Sequence, residues 1–143
     1  CIGARVFQIS SESKLICHAG HVFASNYLVV VLDVARRLYE RAGMSEENSR
    51  LCVESLAQSA LNNVSDLGTE KALTGPIARG EVELVRAQRE ALGFVPKNND
   101  ARDLQALYTR LAGVATEIAE RRGELKFSVL EELREVLRAG NEG

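Results

Sequence analysis

Tryptophan is absent from this sequence, methionine occurs once, proline twice and histidine twice, and aromatic residues make up only 5% of the chain. It therefore lacks obvious stacking platforms of its own. Neither sign of charge dominates: 18 Lys and Arg stand against 20 Asp and Glu, so no electrostatic footprint for a polyanion exists and no nucleic-acid partner is expected. The longest nearly uncharged apolar stretch, Val22 to Leu32, is interrupted by Ser25 and Asn26 and stops at Asp33. It falls short of the roughly 20 residues a bilayer demands, so no membrane partner is expected. The three cysteines, Cys1, Cys17 and Cys52, are odd in number and irregularly spaced, which argues against a disulfide framework and for a cytoplasmic location. No charged leader with an apolar core opens the chain, so no export signal is expected. GxGxxG, a P-loop, HExxH, CxxC and GxSxG are all missing.

What is present favours helix. The 143 residues are about one domain's worth, rich in Ala, Leu, Glu and Arg. Ala4 to Ile9 reads as a short strand, after which Ser10, Ser11 and Ser13 offer N-cap oxygens to a long helix from about Ser11 to Ala42. The middle of that helix is apolar nearly all round, which predicts burial on all sides, partly within the chain and partly against a second copy or another domain. A second helix starts at the N-cap Ser45, carries Val53, Leu56, Ala57, Ala60, Leu61 and Val64 on one face, and ends at Asp66 to Thr69. The segment Lys71 to Gly80 is irregular around Gly75-Pro76. A helix from Glu81 to Leu92 follows, with Val82 and Val85 inward, and then a linker, Phe94 to Asn99. Asp100 caps a further helix to Arg122 whose stripe is Leu104, Leu107, Tyr108, Leu111, Ala115, Ile118 and Ala119. The pattern Ser128-Val129-Leu130-Glu131 reads as a capping box opening a last helix with Leu130, Leu133 and Leu137 on one side.

Two constellations could carry chemistry. On an α-helical wheel Lys14, His18, His21 and Ser25 fall within an arc of about 60°, a polar stripe on an otherwise apolar helix, with Asn26 off that line. Facing a cleft, such imidazole and hydroxyl groups could bind or protonate a substrate oxygen; facing solvent, they are ordinary surface. Cys17 and His21 are four apart, but no third or fourth ligand lies near them in sequence, so no metal is expected. In Leu73 to Gly80, two glycines allow close backbone approach, Pro76 sets the turn, Thr74 offers a hydroxyl and Arg79 a fork for a carboxylate or phosphate.

The run Cys17 to Asn26 (CHAGHVFASN), continuing into Tyr27-Leu28, and the run Ala72 to Gly80 (ALTGPIARG) with Glu81, resemble the C-terminal helical domain of unknown function that stands behind Rossmann-like NADP-binding domains. That arrangement is similar to pyrroline-5-carboxylate reductase, ketopantoate reductase and the 6-phosphogluconate dehydrogenase superfamily. The resemblance covers most of Phe7 to Leu92. It implies an all-α fold, about five helices around a long central helix, with residues 1–10 as remnant strand and linker of an upstream domain and 11–143 as a helical dimerisation and substrate domain. It also implies a homodimer, NADP or NAD held by an N-terminal half absent from this chain, and a small carbonyl or imine substrate. Carried over by position, His18 is the candidate acid, Ser25 and Asn26 join it at the catalytic site, and Thr74, Gly75, Pro76, Arg79 and Gly80 face the substrate. His21 stands where the family has small residues and inherits no role. The chain alone is not expected to be active, and the alternative is a non-catalytic helical dimerisation or regulatory module.

Overall fold

In a computed structural model of the protein, residues 9–93 and 100–139 are described. Among them the chain is entirely helical, in six stretches: α1 (Ser11–Arg41), α2 (Glu46–Ala72), α3 (Gly75–Arg79), α4 (Val82–Gly93), α5 (Asp100–Arg122) and α6 (Phe127–Arg138). The strand expected at Ala4 to Ile9 lies outside the described residues except for Ile9, which has no regular structure. The linker expected at Phe94 to Asn99 and the terminal Gly140 to Gly143 also lie outside them. The chain divides into two compact units, Cys1–Ala57 and Gln58–Gly143, with the division inside α2.

Local capping rules account for most of the boundaries. Ser10 Oγ accepts from the Ser13 N–H at 3.3 Å, and a 3₁₀ turn, Ser11–Ser13, opens α1. Gly43, at φ 95°, closes it: the Gly43 N–H donates to the Glu40 carbonyl at 3.0 Å and the Met44 N–H to Tyr39 at 3.1 Å, a Schellman ending. Ser45 caps α2 through the Asn48 N–H at 3.2 Å. Gly68, at φ 76° and ψ 167°, breaks α2 where the sequence predicts its end. The last helix differs from expectation, since its N-cap is Lys126 rather than Ser128, and no side chain caps it. Leu125 and Val129 both pack on the core there, so the apolar contacts flanking the start place the turn ahead of the serine.

The first unit has almost no interior of its own. Ser49 is its one buried residue among those described; its hydroxyl lies 2.9 Å from the Glu46 carbonyl and 3.2 Å from Glu40 Oε1, which also accepts from Arg36 at 2.6 Å. No residue of α1 is buried: Leu15 is 82% exposed, Phe23 69% and Val29 65%. Of the expected burial, partly within the chain and partly against a second copy or another domain, the part within the chain is not formed among the described residues. The expectation drawn from Val22 to Leu32 is also revised, because α1 as a whole, with a mean hydropathy of 1.6 over its most apolar window, is long and apolar enough to cross a membrane. The stripe on α2 is uncovered too, with Leu56, Leu61 and Val64 all exposed.

The second unit holds the core. Ile77 of α3, Val85 of α4, Ala112 and Ala119 of α5, and Leu133, Val136 and Leu137 of α6 pack into one apolar cluster. On α5 the inward face is turned relative to the predicted stripe. Leu111 is 47% exposed, whereas Thr109 and Thr116 are buried and return their hydroxyls to the carbonyls of Gln105 and Ala112 at 2.8 and 2.9 Å. Small and β-branched residues on that face let α6 approach closely, and back-bonding satisfies the two hydroxyls. Arg side chains tie elements together at the edge of the cluster: Arg89 donates to the Val136 carbonyl at 3.0 Å and Arg122 to the Leu73 carbonyl at 3.1 Å.

Gly80 shows how tightly α3 is seated. It ends that helix at φ 69°, and a Cβ built there would stand 2.8 Å from Val129 Cγ1 and 3.2 Å from Leu125 Cδ2. Gly80→Ala combines left-handed backbone strain with overpacking and is expected to lower the unfolding free energy by about 2 kcal/mol. Gly113→Ala, in a helical position with nothing within 4 Å, is the control and should be neutral or slightly stabilising. Urea midpoints of the two variants check this difference.

Candidate functional site

The residues singled out by sequence fall in the two units separately. His18, Ser25 and Asn26 lie on α1, and all three are exposed. Between Lys14–His21 and Leu28–Arg41, both ordinary α-helix, the segment Val22–Tyr27 is π-helical. Its wider turn breaks the 100° periodicity on which the predicted stripe of Lys14, His18, His21 and Ser25 depends, so Ser25 no longer lies on the straight line of that wheel. The π turn holds Ser25 and Asn26 themselves. Single π turns within α-helices are often found at functional sites, because they re-aim side chains at the cost of ladder hydrogen bonds. Within the same turn Phe23 and Tyr27 stack edge to face, with ring centroids 4.9 Å apart. Sequence periodicity carries no signal for such a turn. None of His18, Ser25 and Asn26 has a hydrogen-bonding side-chain partner among the described residues.

In the second unit, Thr74 to Gly80 forms a compact corner. Thr74 is extended and precedes α3 as its N-cap, yet its hydroxyl makes no capping bond and remains exposed. Gly75 takes φ 89°, which a side chain would strain, and Pro76 occupies the first turn, where its missing N–H costs nothing. Ile77 turns inward and anchors the corner to the core. The corner is held from outside by Arg122 on the Leu73 carbonyl, a positioning residue that the sequence pattern did not single out. Gly80 is explained by packing, as described above.

Arg79 has a partner within its own segment. Its Nε and Nη2 reach Glu81 Oε1 and Oε2, each at 2.8 Å, in a two-pronged pair on the surface. The Arg79 guanidinium holds the Glu81 carboxyl below its ordinary range, chiefly by hydrogen bonding. An anionic ligand at Arg79 therefore has to compete with Glu81. Protonating Glu81 in acid removes that competitor.

Among the described residues no group of three or more His, Cys, Asp or Glu could hold a metal ion, and Cys17 and Cys52 are free thiols, both partly buried. The sequence has no GxGxxG and the described residues contain no strand, so the strand, glycine turn and helix that cradle a pyrophosphate are not formed among them.

Neither the comparison with curated proteins nor that with solved structures gives a match. The comparison with protein families does. Residues 1–135 match DUF2520, a domain of unknown function, and the chain belongs to that family.

Proposed function

We propose that this chain is the C-terminal dimerisation and substrate-facing domain of an NAD(P)-dependent oxidoreductase-like protein, with the dinucleotide held by a domain outside the chain. The observation that carries the reading is α1, which exposes Leu15, Ile16, Phe23 and Val29 along a helix with no cover of its own, while its π turn presents Ser25 and Asn26. A helix this apolar is stable in water only when packed, and a second copy related by two-fold symmetry is the simplest cover. With that cover in place α1 becomes the central helix of the assembly, the arrangement of 6-phosphogluconate dehydrogenase C-terminal domains. A bilayer is a poorer cover, since His18, His21, Ser25 and Asn26 would then enter hydrocarbon without partners. A protein interface turns the same polar groups toward a cleft.

In this reading His18 donates a proton to the substrate oxygen or nitrogen, and Ser25 and Asn26 on the same helix orient the substrate. Arg79, in the second unit, takes an anionic group only once Glu81 is displaced. The non-catalytic alternative draws on one observation, that among the described residues no side-chain hydrogen bond orients His18, Ser25 or Asn26. NADPH binding by the polypeptide that carries this chain together with its upstream coding sequence separates the two. Micromolar affinity, with turnover that falls at least 100-fold in His18→Ala, is the expected result. Absence of NADPH binding makes the domain a non-catalytic module, and unchanged turnover in His18→Ala removes the acid assignment alone.

A further inference from the structure

The second unit has a pocket of about 250 Å³, open to solvent, where the Leu73-Thr74 corner and α3 meet α4 and α5. Its walls are apolar: Leu73, Pro76 and Ile77 on one side and Leu111, Ala112 and Ala115 on the other. An apolar cavity of about 150 Å³ is large enough for benzene, so this one has room for a ring and a short substituent. The exposure of Leu111, which the helical pattern of α5 predicts to be inward, is explained by this cavity, since its side chain lines the opening rather than the core.

Thr74, Gln88 and Tyr108 also line it, and the Gln88 and Tyr108 pair is exposed at its edge. The Tyr108 hydroxyl lies 2.9 Å from Gln88 Oε1. Together the phenol and the amide own three N–H or O–H protons, and the bond between them uses one, whichever way the amide is turned. The pair therefore offers surplus donors, and its complement is an acceptor oxygen. The Tyr108 O–H donates to Gln88 Oε1, so the surplus donors are the two N–H protons of the Gln88 amide. No lysine or arginine lines the pocket, so a carboxylate finds no counter-charge there and loses part of its hydration against apolar walls, whereas a neutral carbonyl meets the Gln88 donors without that loss.

We propose that this cavity binds a small uncharged carbonyl compound with an aromatic or branched apolar group, the apolar part against Leu73, Ile77 and Leu111 and the carbonyl oxygen on the Gln88 and Tyr108 pair. Binding is read from this chain alone and does not rest on the function proposed above. The test is a titration of the chain with acetophenone, followed by methyl and aromatic NMR shifts, beside cumene, which has the same bulk without the oxygen, and benzoate, which carries the charge. Saturable shifts confined to Leu73, Ile77, Leu111 and Tyr108 are expected, with cumene about fivefold and benzoate at least tenfold weaker. Gln88→Leu combined with Tyr108→Phe should reduce acetophenone to the level of cumene, and Ala115→Leu, which fills the cavity, should abolish binding of both. Gln88 is exposed, so Gln88→Leu alone remains readable if Ala115→Leu does not fold. Unsaturable shifts spread over α1, affinity unchanged in the double variant, or cavity resonances that move with protein concentration rather than with acetophenone overturn the proposal. Absence of NADPH binding by the longer polypeptide overturns the oxidoreductase reading and leaves this one standing.

Discussion

Leu133→Ala is expected to remove about 3 kcal/mol of stability, enough to bring the urea midpoint down by roughly 2 M. Leu133 is 0% exposed and packs in the cluster with Ile77, Val85, Ala119 and Val136, drawn from four helices. Truncation forfeits the transfer energy of the removed methyl groups and leaves a void that surrounding backbone cannot close, because α5 meets α6 through residues that are already small. The effect is local in origin but reaches the Thr74 to Gly80 corner, whose only buried anchor is Ile77 in the same cluster. Circular dichroism and near-ultraviolet tyrosine signals followed through the same urea titration check the loss. Phe127→Ala is the contrast: the larger side chain is removed, yet it is 71% exposed and the change should stay within about 0.5 kcal/mol.

Val29→Asp is expected to weaken self-association at least 100-fold while leaving the helicity of the chain nearly unchanged. Val29 lies in the α-helical stretch that follows the π turn and stands open to solvent in the single chain, so a carboxylate there disturbs no internal packing. Across a two-fold interface each copy contributes one, and an uncompensated buried charge costs about 3–5 kcal/mol, which corresponds to a factor of more than 100 in the dissociation constant. Sedimentation equilibrium of the parent chain and the variant reads the difference. A monomeric parent chain, or a variant that associates as well as the parent, sinks the dimer reading. Co-flotation of the parent chain with lipid vesicles, lost in the variant, would instead identify α1 as a membrane element.

Much of the secondary structure was legible because helix boundaries obey local rules. Ser10 and Ser45 cap where their side chains can reach the next turn's N–H, and Gly43, Gly68, Gly80 and Gly123 stop or break helices at positive φ. Less of the candidate site was legible. Arg79 was read as a free fork, yet its nearest acceptor is Glu81, two residues on, and a pattern of residue types does not tell a ligand's carboxylate from a neighbour's. Arg122 went unnoticed because it acts on the Leu73 backbone from 49 residues away. The stripe containing Ser25 assumed a uniform helix, and the π turn altered the angle on which the stripe depended.

The sequence by itself determined that the chain is helical, where most of its helices start and stop, and that α1 and α2 carry apolar faces. Periodicity shows that a face favours burial, but burial depends on a neighbour, and the neighbour is a tertiary fact. Only the folded structure decided that Ile77, Val85 and Leu133 find their neighbours within the chain, while Leu15, Phe23 and Val29 stand exposed among the described residues. The same packing turned Thr109, Ala112 and Thr116 inward on α5 and left Leu111 at the mouth of a cavity. A chain with few aromatics thereby places Tyr108, one of its three tyrosines, in the lining of that pocket.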